Sequence, residues 1–172
     1  FQLKGYVPGT GACNPEFAIV GQAVGRYELE TLKPFSGPAG LLLDQALETA
    51  GISRSQCYFT NVLKGMPPPF YDLKIAKWPD YESVENLWKE LEAINPRKII
   101  ALGSIPLFFL TGKVGIAEHR GSILRTQRLN KLVVPTYNPA HLLYSAGGEI
   151  AGYWQKYIID FDIKRARNLR LD

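Results

Sequence analysis

The chain has 172 residues, of which 46% are hydrophobic and 21% charged, with a formal net charge of +4. This length and composition predict one soluble domain, and the positive charge suits a polyanionic partner, although many proteins that bind no nucleic acid carry a similar excess. Two cysteines and two histidines without CxxC or HExxH spacing favour neither a disulfide scaffold nor a metal site. These two isolated cysteines favour a reducing, cytoplasmic location. No apolar run is long enough to span a bilayer, so we expect no membrane contact.

In chain order, the hydrophobic pattern predicts four buried strands and three helices. They are a strand at 17–20 (FAIV), a helix at 37–51, a strand at 57–62 (CYFTNV), a helix at 81–95, strands at 98–102 (KIIAL) and 131–136 (KLVVPT), and a helix at about 148–170. The first helix should end at Gly51 and the second just before Pro96. This alternation predicts an α/β fold, a three-layer αβα sandwich with a central, mostly parallel four-stranded sheet.

The loops after the strands are the places to look for a ligand site, because ligands of such sheets bind at the carboxyl ends of the strands. These loops begin GQAVG (21–25), LKGMPPPF (63–70), GSIP (103–106) and YNPAHLL (137–143). GQAVG contains neither GxGxxG nor GxxxxGK[ST], so it does not by itself indicate a nucleotide site. The proline-rich stretch 65–81 is too long for a plain connection.

Six motifs follow one another over residues 17–145: IVGQAVG, KPFSGPAGLLLDQALETAGI, YFTNVLK, IIALGS, EHRGS and VVPTYNPAHLL. Taken together and in this order, they resemble the uracil-DNA glycosylase superfamily. The likeness is strongest to its family-four branch, with motifs GEAPG, PFVGxAGxLL, TNxVK, an LG turn, an RG pair and HPxxLL, and to phage and polymerase-associated relatives. It implies one glycosylase-like domain over residues 1–172.

The resemblance implies two residues that bind a base flipped out of DNA. Phe35 matches the aromatic residue on which the pyrimidine stacks, and stacking of a base on a ring contributes roughly 1–3 kcal/mol. Asn61 matches the asparagine whose amide donates to O4 of uracil and accepts from N3–H, a pattern that cytosine reverses. The alternatives are that Phe35 packs in the core and that Asn61 closes its strand through an Asx turn.

The resemblance also implies the residues that assist bond breakage. Gln22 replaces the acid of GEAPG, and Glu28 aligns with a second acid that we expect to orient the attacking water. The backbone N–H groups of Ala23 and Val24 are expected to hold the water or O2 of the base, although Val24 replaces a proline. Asn138 replaces the histidine that donates to O2 of the departing uracil, and asparagine donates without becoming a cation.

Two further groups of residues are implied to face DNA. The segment after Asn138 would wedge into the stack from the minor groove, unless it is only a turn of buried helix. It comprises His141, Leu142, Leu143 and Tyr144. Residues expected against phosphates are Ser36, Lys64, Arg120 and Ser122.

The family-four branch often holds a four-cysteine iron–sulfur cluster, and this chain lacks the cysteines for it. Gly65 stands where the third cysteine would follow TNxVK, and the region of Val84 and Asn86 lacks the fourth. We therefore expect no metal and no other cofactor, with Cys13 and Cys57 as ordinary thiols.

The first interpretation is therefore a DNA glycosylase that excises uracil or another deaminated base and leaves an abasic site. Its substrate would be uracil-containing DNA, single- or double-stranded, in a bacterium or a phage-infected host. We expect a monomer, with replication or polymerase proteins as possible partners. Gln22, Val24 and Asn138 favour the alternative, a DNA-binding domain of the same fold with weak or no catalysis. A flavodoxin-like nucleotide-binding domain is a third interpretation, which no phosphate loop supports.

Overall fold

The structure, a computed structural model, describes residues 2–69, 71–144 and 148–170, without the side chains of 144 and 148–153. The strands are β1 (Thr10–Gly11), β2 (Phe17–Gly21), β3 (Cys57–Asn61), β4 (Lys98–Leu102), β5 (Leu124–Arg125) and β6 (Leu132–Thr136). The helices are α1 (Arg26–Thr31), α2 (Pro38–Thr49), α3 (Tyr81–Ile94), α4 (Ser104–Thr111), α5 (Ile116–His119), α6 (His141–Tyr144) and α7 (Gly148–Asn168). Short 3-10 turns lie at Arg54–Gln56 and Ile75–Lys77.

The described strands form one sheet in the order β1-β3-β2-β4-β6-β5. The four central strands are parallel and correspond to the four predicted runs. β1 and β5 pair antiparallel at the two edges. The prediction of an α/β fold with a mostly parallel sheet is confirmed, but the sheet has six strands rather than four. The two extra strands have two residues each, too short to show a periodic pattern.

Helices cover both faces of this sheet, which makes the three predicted layers. Successive residues of β2 point to opposite faces, so Phe17 and Ile19 enter one core while Ala18 and Val20 enter the other. The first core holds side chains of α2 and α7, among them Leu43, Leu47, Ile159 and Ile163. The second holds side chains of α3 and α4, among them Leu87, Leu91, Ile105 and Leu110. Each fully buried leucine contributes about 1.5–3 kcal/mol to this packing.

The ends of the two amphipathic helices follow the sequence signals closely. After α2, Gly51 takes a φ of 76° and its N–H donates to the Glu48 carbonyl at 2.9 Å. Asn95 ends α3 in the left-handed conformation, one residue before Pro96. Glycine and asparagine tolerate this conformation, which stops a helix sharply and turns the chain into the next strand.

The sequence did not predict α1, α4 or α5. The pattern predicts a loop at GSIP, but α4 begins at Ser104 and carries Pro106 in its first turn, where a missing N–H costs nothing. Glu28 lies in α1. Among the described residues, every helix is too short or too polar to cross a bilayer.

Candidate functional site

A cleft of about 550 Å³ opens at the carboxyl ends of β2, β3 and β6. It brings together eight residues that the sequence analysis selected from separate parts of the chain. They are Gln22, Ala23, Val24, Glu28, Phe35, Asn61, Asn138 and Leu143. This volume matches the roughly 300–1,000 Å³ of small-ligand clefts.

Gly21 brings Asn61 and Phe35 together at the floor of this cleft. It ends β2 directly beside Asn61, the last residue of β3. A Cβ on Gly21 would overlap the Asn61 Oδ1 and would lie 2.6 Å from Phe35 Cζ. Only glycine therefore allows the amide and the ring to approach each other across the strand ends. Asn61 is 3% exposed and borders the cleft, so its amide is placed to read one ligand edge.

Phe35 is fixed in a conformation that bulky residues rarely adopt. Its φ is 54°, in the left-handed region, which costs about 1–3 kcal/mol for such a residue. The Phe35 carbonyl packs against Gly40 of α2 so closely that a Cβ there would overlap it. The ring is half-buried and lies 6.1 Å from Phe59, centroid to centroid. Core packing behind the ring thus supports a face that borders the cleft, and the two readings of Phe35 are compatible.

The Glu28 carboxylate is a half-buried acid on the wall of the cleft. Burial raises its pKa above the usual value, and the nearby backbone N–H groups of Gly25, Glu28 and Gly37 offset this only in part. Its Oε2 is buried and has no hydrogen-bond partner among the described residues. Glu28 occupies the third position of α1, from which a glutamate reaches back to the N-cap. Backbone N–H groups of its own helix thus hold the carboxylate in place, while Oε2 has no partner within the described residues.

Gln22, Ala23 and Val24 form the turn between β2 and α1. The Gln22 carbonyl accepts from Leu63 N–H at 3.0 Å, which ties this turn to the segment after β3. The side chain of Val24 is only 2% exposed, so it anchors the turn by burial where the family pattern has proline. Gln22 and Ala23 are half-buried on the cleft wall.

Asn138 follows β6 and presents one side of its amide to the cleft. Its Oδ1 accepts from Ala140 N–H at 2.9 Å, an Asx turn that fixes which side of the amide is which. The Asn138 carbonyl accepts from His141 N–H at 3.0 Å and starts α6. Because Oδ1 is engaged, the Nδ2 group remains as a donor. This is the polarity that a departing anionic base requires.

The segment expected to act as a wedge divides into residues with different environments. Leu143 is 44% exposed and borders the cleft, whereas Leu142 is half-buried and packs against the core of α2 and α7. His141 is exposed and does not border the cleft. The side chain of Tyr144 lies outside the described residues. Leu143 is therefore the apolar residue of this segment with the best position to enter the DNA stack. Leu142 lies in a turn of buried helix, as in the alternative interpretation.

Lys64 is engaged inside the protein. Its Nζ donates to the Asn61 carbonyl at 2.5 Å and pairs with Glu90 Oε1 at 2.9 Å. Its side chain is 13% exposed. A DNA phosphate would have to compete with Glu90 for this ammonium group, and the contact of Lys64 with DNA stays a prediction.

Arg120 is likewise committed to an internal partner. Its Nε and Nη2 donate to the two carboxylate oxygens of Asp162 at 3.0 and 2.6 Å, and the Thr136 hydroxyl donates to the same carboxylate at 2.7 Å. Asp162 is fully buried and Arg120 neutralises it, whereas the Arg120 side chain is 28% exposed, and its contact with a phosphate stays a prediction. Ser122 is half-buried, and Ser36 is exposed with its hydroxyl 2.5 Å from that of Thr31.

Sequence reasoning missed several residues that complete the cleft. Met66, Pro67 and Leu73 close one side, and they belong to the proline-rich stretch whose length was the only signal. Arg26 and Tyr27 border the cleft from α1, which was itself not predicted, and Arg26 is an exposed cation at its edge.

The residues present do not fit a four-cysteine cluster. A Cβ at position 65 would lie 2.7 Å from the Gly5 carbonyl oxygen and 2.8 Å from Leu3 Cβ, so a cysteine side chain has no room there. Cys57 is buried, which raises its thiol pKa to about 12, and Cys13 is exposed. Within the described part of the chain, no three or more His, Cys, Asp or Glu side chains are grouped as metal ligands.

A parallel α/β sheet that ends in a cleft lined by an aromatic ring and two amide side chains has the layout of a protein that binds a small planar ligand. The family model of the Uracil DNA glycosylase superfamily matches residues 8–162, so the chain belongs to that superfamily.

Similar proteins include two that are named Type-4 uracil-DNA glycosylase. The one from Thermotoga maritima is 34% identical over 166 residues, which cover 94% of this chain and 81% of the relative. The one from Archaeoglobus fulgidus is 37% identical over 149 residues, covering 81% and 72%. A DNA polymerase of Bacillus phage SP01 is 34% identical over 118 residues, which are 67% of this chain and 12% of the polymerase.

Proposed function

We propose that this protein is a DNA glycosylase that flips uracil out of DNA and hydrolyses its N-glycosidic bond. The observation that supports this most is the pairing of Asn61 with Phe35 across Gly21 at the floor of the cleft. A ring that supports one face of a base and a buried amide at its edge are the two elements needed to bind and identify a flipped pyrimidine. The chemistry needs no metal or cofactor.

Base identification rests on the amide of Asn61. The amide donates from Nδ2 to O4 of uracil and accepts at Oδ1 from N3–H. Cytosine presents a donor at position 4 and an acceptor at N3, so the same amide would leave buried polar groups unpaired on both partners. Each such unpaired group costs about 1–3 kcal/mol. A mostly buried amide therefore selects uracil strongly over cytosine.

Bond breakage uses the two polar residues on the remaining cleft walls. A water oriented by the Glu28 carboxylate forms the new bond to C1′ of the sugar while the C1′–N1 bond breaks. The electron pair of that bond leaves with the base as a uracil anion, and the water proton passes to Glu28. Asn138 Nδ2 donates to O2, where much of the negative charge collects. Gln22 and the backbone N–H groups of Ala23 and Val24 help to hold the water or the base.

Leu143 would fill part of the space that the base vacates in the DNA stack.

We further propose that the protein acts as a monomeric domain in the cytoplasm of a bacterium or a phage-infected host. The likeness to a segment of a phage DNA polymerase supports replication or polymerase proteins as candidate partners.

The proposal is tested with oligonucleotides that carry one uracil opposite guanine, opposite adenine or in single-stranded form. After incubation, alkali cleaves the strand at every abasic site, and strand breaks are quantified on a denaturing gel. We expect cleavage of at least one of these substrates and none of the matched thymine control. DNA binding that weakens with salt but produces no cleavage of any substrate would refute the proposal and support a non-catalytic DNA-binding domain.

A further inference from the structure

Glu90 of α3 is the centre of a polar network that uses both of its carboxylate oxygens. The Tyr58 hydroxyl donates to Oε2 at 2.8 Å, and the Thr60 hydroxyl lies 2.9 and 3.1 Å from the two oxygens. Lys64 Nζ pairs with Oε1 at 2.9 Å. Burial and the hydrogen bond to Glu90 raise the pKa of Tyr58, so its hydroxyl stays protonated as a donor. The Lys64 and Glu90 side chains are only 13% and 15% exposed, which makes this pair much less screened than a surface ion pair.

This network lies on the opposite face of the sheet from the base-reading amide. Tyr58 and Thr60 alternate along β3 with Phe59 and Asn61, so the two pairs point to opposite faces. Phe59 belongs to the core of α2 and α7, whereas Glu90 belongs to α3, which covers the other face. Lys64 connects the faces, because the same Nζ that pairs with Glu90 donates to the main-chain carbonyl of Asn61 at 2.5 Å.

The side chain of Asn61 depends on this main-chain support. No hydrogen bond to its amide group comes from the described part of the chain, and its Oδ1 lies against Gly21. Its position therefore depends on the backbone at the end of β3, beside Gly21. Two bonds hold the peptide unit that follows Asn61: Val62 N–H donates to the Gly21 carbonyl at 3.0 Å, and Lys64 Nζ donates to the Asn61 carbonyl.

The N-terminal segment covers the network where a cluster-binding relative would carry cysteines. Lys4 and Met66 exchange two backbone hydrogen bonds of 2.8 and 2.9 Å, and Val7 N–H donates to the Lys64 carbonyl at 2.6 Å. Gly9 approaches Glu90 and Tyr58 so closely that a Cβ there would overlap the carboxylate. Main-chain pairing and the ion pair thus brace the loop after β3.

We propose that Glu90 is a positioning residue for base recognition, acting through Lys64 on the main chain of Asn61. The inference rests on the proposed glycosylase function. Neutralising Glu90 releases Lys64 from its fixed geometry and lets the end of β3 shift, which displaces the Asn61 amide from the base edge. Because a misplacement of about 1 Å can cost roughly 100-fold in rate, a smaller displacement of the amide should cost about tenfold.

The test compares Glu90→Gln with Glu85→Gln, a matched control on the same helix. Glu85 is also an ion-paired glutamate, but it pairs with Arg128 on the surface, where both side chains are 53% exposed. Single-turnover excision of uracil and the affinity for uracil-free DNA are measured for both variants and the wild type. For Glu90→Gln we expect an excision rate about tenfold lower with unchanged DNA affinity. Glu85→Gln should match the wild type in both measurements.

A double-mutant cycle separates positioning from general destabilisation. If Glu90 acts through Asn61, adding Glu90→Gln to Asn61→Ala should cause little further loss, whereas adding it to Asn138→Ala should multiply the two losses. Full multiplication in both backgrounds, or a wild-type rate in Glu90→Gln, would overturn the proposal.

Glu90→Gln leaves the Lys64 cation without its partner and could unfold the protein for that reason. A second variant controls for this effect. Lys64→Met combined with Glu90→Gln leaves no unpaired charge at that place and should show the same rate loss with unchanged DNA affinity; a wild-type rate would overturn the proposal. An inactive wild-type protein would refute both the glycosylase function and the inference, whereas an active wild type with an unimpaired Glu90→Gln refutes the inference alone.

Discussion

Asn138→Asp replaces one NH₂ group by an oxygen and tests whether that group stabilises the departing base. The Oδ1 of Asn138 accepts from Ala140 N–H at 2.9 Å, and an aspartate keeps this turn. The other atom changes from a donor to a negatively charged acceptor. A hydrogen bond to a charged group contributes about 1.5–3 kcal/mol, so its loss alone slows excision by roughly 10- to 150-fold. Repulsion between aspartate and the uracil anion adds to this, so we expect a loss of at least about 100-fold.

Single-turnover excision with enzyme in excess measures this effect, and Asn138→Ala serves as the comparison. Alanine removes the donor without adding a charge, so its rate should lie between those of the wild type and Asn138→Asp. Thermal unfolding should show the opposite order for the two variants, because only aspartate preserves the bond to Ala140. An Asn138→Asp rate within roughly threefold of the wild type, or above that of Asn138→Ala, would refute the assigned role.

Three further predictions concern the acid, the cleft floor and the buried ion pair. Burial raises the pKa of Glu28, which must be ionised to take a proton, so kcat/KM should fall as the pH drops through that raised pKa. Glu28→Gln should lose most activity, and the remaining activity should no longer show this fall at low pH. The same shift makes the folded state bind more protons, so the free energy of unfolding should decline as pH rises from 4.5 through the raised pKa, a slope that urea titrations should find reduced in Glu28→Gln. Gly21→Ala places a methyl group on the Asn61 amide and should slow excision by about 100-fold while CD spectra and DNA affinity stay unchanged. Arg120→Ala leaves the Asp162 carboxylate buried and unpaired, so urea unfolding should show that the free energy of unfolding falls by an amount near the lower end of about 3–5 kcal/mol. An unchanged free energy of unfolding, together with a weaker salt dependence of DNA binding, would instead support a contact between Arg120 and a phosphate.

The central sheet was predictable because its strands carry a local signal. Each of the four parallel strands is a short apolar run between turn residues, and the observed bounds differ from the predicted ones by at most one residue at either end. α4 carries no such signal, since SIPLFFLT is apolar on nearly all sides and contains a proline. A helix buried in this way has no polar face to reveal its period.

The residues that line the cleft could be predicted from the order of the motifs along the chain. The internal partners of the charged residues could not. Asn61, Phe35, Glu28 and Asn138 follow strands or turns whose ends meet in any sheet of this topology. In contrast, a sequence does not show that a lysine or arginine will be neutralised by an acid far along the chain. Lys64 pairs with Glu90 of α3 and Arg120 pairs with Asp162 of α7, and the sequence analysis predicted neither ion pair.

Identifying the base that is released from DNA shows directly whether the protein excises uracil and whether Asn61 selects it. Wild-type protein and Asn61→Ala are incubated with an oligonucleotide that contains one uracil and with the matched oligonucleotide that contains cytosine there. Free bases are then separated and identified by mass spectrometry. We expect the wild type to release uracil but no cytosine. Asn61→Ala should release almost no uracil while still binding the DNA. Undiminished release of uracil by Asn61→Ala, or no release by the wild type, would contradict this expectation.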